Sequence, residues 1–126
     1  MKAKHLIISL LLVMCLESSL EAACCFEFEK ARLLAVREGQ FVSDEEDRVF
    51  AWSKLMKREG KIVQYQIIYS PDKDMIALCM GGFFIMCSDG EYYIGAMTDE
   101  TLLKSKSIEE SEAAGYAARF LKEIGR

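Results

Sequence analysis

The sequence contains no asparagine, one histidine, one proline and one tryptophan. His5 is the only imidazole and stands near the N-terminus, which argues against a Ser–His or Cys–His nucleophile pair. No two cysteines have C-x-x-C spacing, so zinc ribbons and thioredoxin-like motifs are excluded. No phosphate-binding loop is present. Gly81-Gly82 stands between two apolar runs with no Lys-Ser/Thr after it, and reads as a hairpin turn or a bulge. The acids Asp72/Asp74 and Asp99/Glu100 do not follow a calcium-loop pattern and read as solvated turns. Net charge is −4 and no basic stripe carries interleaved aromatics, which disfavours nucleic acid. Twenty acids are available for acid–base work, yet no spacing singles out a pair. No catalytic residue, cofactor or metal ligand is therefore assigned, and the balance favours binding or scaffolding over an enzyme.

What is present is dense apolar patterning: 52% of the residues are hydrophobic, too many for a disordered chain. At 126 residues the chain is read as one domain, 1–126, able to bury roughly 65% of its unfolded surface. With only three glutamines, 14 Glu and 10 Lys, the composition points to a heat-adapted source. The organising stretch is residues 61–97. Runs of β-branched, aromatic and sulfur side chains are broken at Pro71-Asp72-Lys73-Asp74 and at Ser88-Asp89-Gly90, the mark of consecutive antiparallel strands. Val63, Tyr65, Ile67 and Tyr69 share one face of the first strand, with Gln64 and Gln66 on the other. The next run is apolar on both faces, which predicts a sheet covered on both sides. Residues 61–69, with their interspersed Gln, are expected to form the exposed edge.

Two readings of residues 1–22 fit. Lys2, Lys4 and His5 precede an apolar run at 6–16, and small residues follow at Ala22-Ala23, as in a cleaved secretory signal. The run is too short to span a bilayer. The other reading is a buried first helix. Residues 22–28 and 32–37 then read as a strand pair turning at Glu29-Lys30-Ala31 and closed by Gly39. Ser43-Asp44-Glu45-Glu46 has the S-x-x-E form of a capping box and predicts a helix over 43–59, with Val49, Trp52, Leu55 and Met56 as its core stripe. Phe50 falls off that stripe beside Ser53, Lys54 and Lys57, which makes the group a candidate partner contact. A second box, Ser107-Ile108-Glu109-Glu110, opens the last helix, with Ala113, Ala117, Phe120, Leu121 and Ile124 on one face.

Cysteines stand at 15, 24, 25, 79 and 87. They read either as buried thiols or as a disulfide between the 24/25 pair and Cys79 or Cys87, the latter in a secreted or hyperthermophile chain.

The element order, with SSLEAACCFEFEKARLLAVREGQF at residues 18–41, resembles the roadblock / dynein light chain family. The resemblance spans nearly the whole chain and makes residues 6–16 the first helix. A related architecture, that of profilins, is similar on Gly81-Gly82, Gly95 and the terminal helix. The family implies an α+β fold, α-β-β-α-β-β-β-α. Its central antiparallel sheet has about five strands, covered by helices on both faces. It also implies a cytoplasmic, non-enzymatic dimer, with itself or a paralogue, that serves small Ras-like GTPases or motor complexes. The interface would lie on the 43–59 helix and the 61–69 strand, using Phe50, Ser53, Lys54, Lys57, Gln64 and Gln66. The alternative is an exported domain of about 100 residues, cleaved near Ala22 and holding one or two disulfides, whose binding function the sequence leaves open.

Overall fold

The computed structural model describes residues 24–43, 47–96 and 105–126. Both readings of residues 1–22 concern residues outside these, as do Asp44, Glu45 and Glu46 of the first capping box. Helix α1 is Phe26–Glu38. Strands β1 (Gln40–Ser43), β2 (Arg48–Arg58), β3 (Lys61–Ser70), β4 (Met75–Met80), β5 (Phe83–Ser88), β6 (Glu91–Ala96) and β7 (Lys106–Ile108) follow, and α2 is Glu110–Glu123. The seven strands form one antiparallel meander in sequence order.

The roadblock-like order is overturned. One seven-stranded sheet stands where about five strands were expected, and both described helices pack on the same face. The expected hairpin over 22–37 is α1. Phe26 and Phe28 alternate as strand residues would, but Phe28, Ala31 and Ala35 fall at i, i+3 and i+7, and all three are fully buried. Apart from Val36, the segment is otherwise Glu, Lys, Ala, Arg and Leu, strong helix formers. Glu27 and Glu29 lie in its first turn and Arg37 in its last, matching the helix dipole. At its end a Cβ on Gly39 would stand 2.5 Å from the Ala35 carbonyl oxygen and 2.7 Å from that of Ala51, so only glycine lets the chain cross onto the sheet there.

The expected helix over 43–59 is also overturned: Ser43 ends β1, and residues 48–58 are β2. Alternation was hidden because Lys54 takes a helix-facing place between Trp52 and Met56. Gly60 does not stop a helix. With Glu59 it makes a two-residue hairpin turn, φ 49° and 80°. Ser107 caps nothing either: it lies in β7, and Glu109 precedes α2 without a side-chain cap bond.

The helix-facing row Trp52, Ile67, Leu78, Ile85 and Ile94 runs across five paired strands. Phe120 of α2 packs edge-on to Trp52 and Tyr65, and Phe28 of α1 packs against Tyr92. Ala113, Ala117, Phe120, Leu121 and Ile124 are all buried, the stripe read from the sequence. α2 ends as a Schellman motif: Gly125 at φ +89°, its N–H on Lys122 O, and the Arg126 N–H on Leu121 O. On the opposite face Phe84 lies over Gly95, where a Cβ would meet its ring at 2.6 Å. A disulfide joins Cys24, ahead of α1, to Cys87, the last helix-facing residue of β5. Among the described residues no helix is long and apolar enough to cross a membrane.

Candidate functional site: the β2–β3 ribbon

β2 and β3 pair along nearly their whole length, from Phe50↔Tyr69 to Arg58↔Lys61. Their outer neighbours are shorter. β1 pairs with β2 only over residues 48–51, and β4 pairs with β3 only over 65–70. Residues 52–58 and 61–64 therefore have a strand on one side only. The hairpin projects beyond the rest of the sheet as a two-stranded ribbon, with a row of unpaired backbone groups along each edge.

Alternation sorts its side chains. Trp52, Lys54, Met56, Val63 and Tyr65 face the helix layer; Ser53, Leu55, Lys57, Ile62, Gln64 and Gln66 face away from it. On that open face Leu55 is 66% and Ile62 72% exposed, the latter the most exposed large apolar side chain among the described residues. Directly opposite partners are Ser53↔Gln66, Leu55↔Gln64 and Lys57↔Ile62, so apolar and amide groups alternate diagonally. A hollow of about 410 Å³ opens at the step where β4 stops, between Ile62, Gln64 and Gln66 on one side and Cys79 and Gly81 on the other.

The ribbon is tied to the C-terminal end of α2 along its helix side, from Tyr65 midway along it to Arg58 at its tip. The Tyr65 hydroxyl donates to Glu123 Oε1 at 2.7 Å, and Arg119 Nε donates to Glu123 Oε2 at 3.0 Å. Arg58 donates through Nη2 to the Glu123 carbonyl and lies over the Tyr65 ring. Burial, which alone would raise the Glu123 carboxyl, is outweighed by the bonds from Tyr65 and Arg119, and its pKa falls. Burial first, then the Glu123 hydrogen bond, push the Tyr65 hydroxyl up. The ribbon is thus fixed on its helix side and left bare on the other.

The six residues expected to form an interface are divided. Ser53, Lys57, Gln64 and Gln66 come together on the open face. Lys54 and Phe50 lie on the helix face, where Phe50 sits between the rings of Phe41 and Tyr69 at 4.9 and 5.9 Å. The expected edge, 61–69, is corrected: residues 65–69 are interior, and only 61–64 lack an outer neighbour. Sequence reasoning missed Leu55, assigned to a helical core, and Ile62. The signal available was Leu55-x-Lys57 across a Glu-Gly turn from Ile62-x-Gln64, a period of two.

The remaining chemistry is sparse. Among the described residues no group of three or more His, Cys, Asp or Glu could hold a metal ion. Burial pushes the free Cys79 thiol up to about 11, and raises that of Cys25, whose N–H donates to the Tyr92 hydroxyl at 2.7 Å. Comparison with protein-family models, with curated proteins and with solved structures gave no match.

Proposed function

We propose that the domain is a non-enzymatic binding module that pairs with a second copy of itself, or a paralogue, through the β2–β3 ribbon. The observation that carries this is Leu55 and Ile62, diagonal neighbours both exposed on one face of a ribbon with two free edges and a braced back. Strand addition at such an edge supplies backbone hydrogen bonds, and alternate side chains supply the fit. Lys57 and Lys61 at the tip oppose indiscriminate pairing, as charged edges do. An enzymatic reading has little support. The chain's one imidazole is His5, and the free thiols Cys25 and Cys79 are shifted away from thiolate. The GTPase- and motor-directed roles implied by the roadblock resemblance would need an interface helix over residues 43–59, where β2 runs.

The module's place is an oxidising compartment, reached by export. The Cys24–Cys87 disulfide supports this, together with the basic-then-apolar sequence of residues 2–16. Sedimentation velocity at micromolar concentration tests the pairing. The oxidised protein should sediment as a dimer, and Leu55→Asp with Ile62→Asp as a folded monomer. A wild-type monomer over the whole range would overturn it.

A further inference from the structure

A second surface lies on the far side of the molecule from the ribbon's open face, along the outside of the two helices. α1 carries apolar side chains there as well as on its buried side, interleaved with cations. At 3.6 residues per turn, Phe26, Lys30, Leu33 and Arg37 fall on one line opposite Phe28 and Ala35. Phe26 is 69% and Leu33 40% exposed. α2 lies alongside and presents Ala118, Leu121 and Lys122, with Gly125 just past its end. Two hollows open between the helices, of about 470 and 440 Å³. They share Lys30, Leu121, Gly125 and Arg126, and so run together into one groove from Phe26 to Glu38. The 13 residues of α1 make the groove about 20 Å long. That is the span of a three- to four-turn helix, and both hollows are open to solvent, unlike the enclosed pocket of a small ligand.

The groove's charge opposes that of the chain. Lys30, Arg37, Lys122 and Arg126 rim it, against Glu27 and Glu38, in a protein of net charge −4. Glu38 is itself held by Arg126 at 2.6 Å, and Lys30 sits over the Phe26 ring. The rim therefore offers cations and the floor offers Phe26, Leu33 and Leu121. We propose that the α1–α2 groove is a docking site for an acidic amphipathic helix of a partner protein. Its apolar stripe would lie between Phe26 and Leu33, and its carboxylates would meet Lys30, Arg37 and Lys122. This is the helix-in-groove mode of recognition, with charge setting orientation and partner choice. The concave groove favours a rod-shaped partner over a flat bilayer.

The test uses the full-length oxidised protein and a fluorescein-labelled helical peptide of Leu–Glu heptads, with a Leu–Lys peptide of the same pattern as control. Fluorescence anisotropy should show saturable binding of the acidic peptide alone, weakened as salt rises. Lys30→Glu with Arg37→Glu should weaken it at least tenfold. Lys122→Glu, read from the other helix, should weaken it too. All three side chains are exposed, so the fold is retained, as circular dichroism will report. The ribbon variant, Leu55→Asp with Ile62→Asp, should bind as wild type, which separates this site from the pairing surface. Equal binding of both peptides would overturn the proposal. So would unchanged affinity in the charge-reversed variants, or binding to phosphatidylglycerol vesicles without binding of the peptide.

Discussion

Reducing the Cys24–Cys87 disulfide should weaken the fold by a calculable amount without abolishing it. The bridge closes a loop with a sequence separation of 63. On the chain-entropy model such a loop removes about 14 cal/mol/K from the unfolded ensemble, about 4 kcal/mol at 25 °C. That is a large share of the stability of a domain this size. The helix should nevertheless stay docked, because Phe28, Ala31, Leu34 and Ala35 hold α1 to the sheet independently of the bridge. The perturbation is Cys24→Ala with Cys87→Ala, compared with the wild type in urea. The midpoint should fall with the far-ultraviolet spectrum intact, and melting should come roughly 10–25 °C lower. Cys25→Ser serves as control: the bridge persists and the midpoint moves little. Equal midpoints for the oxidised and doubly substituted proteins would refute the reasoning, as would a mass that does not rise by two hydrogens on reduction.

Three further substitutions probe particular contacts. Gly95→Ala should destabilise by about 1–3 kcal/mol in urea, because the new methyl would press on the Phe84 ring and stand 3.3 Å from the Ser105 Cα; a neutral effect would mean that the ring moves freely. Tyr65→Phe should cost about 1 kcal/mol and loosen the ribbon on α2, seen as faster amide exchange near Arg58, since the bond to Glu123 is lost. Asp74→Asn concerns a carboxyl whose pKa is raised by burial and then by Asp89. A carboxyl with a raised folded pKa binds its proton more tightly in the folded state, so its ionised form opposes folding above that pKa. The amide should therefore raise the melting temperature at pH 7, with the gain fading as pH falls through the usual carboxylate range. A gain that grows on acidification would contradict this.

How much of this was legible varies by element. The meander from β3 to β6 was, because its turns use Pro71, Asp74, Gly81-Gly82 and Asp89-Gly90, residues suited to the turn conformations. So was the buried stripe of α2, where periodicity and burial agree. α1 was not. Its outward face mixes Phe26 and Leu33 with Lys30 and Arg37, so no clean polar side marked it as a helix, and Phe-Glu-Phe-Glu imitated a strand. β2 failed in the opposite sense. Lys54 on the helix face broke the alternation, Leu55 pointed out, and Ser43-Asp44-Glu45-Glu46 supplied a false cap. The candidate site inherits the β2 error: Ser53, Lys57, Gln64 and Gln66 were singled out for a helix–strand interface and meet instead on one ribbon face. The cysteine pairing was narrowed to the 24/25 pair with Cys79 or Cys87; the fold selects Cys87, which faces the helices, over Cys79, which faces away.

The ribbon claim is tested most directly by amide hydrogen exchange, followed by mass spectrometry at several protein concentrations. Residues 52–58 and 61–64 should exchange more slowly as concentration rises, because pairing occupies their free edges. The interior amides of β4 and β5 should not change. Exchange in those two segments that is fast and independent of concentration would contradict the account.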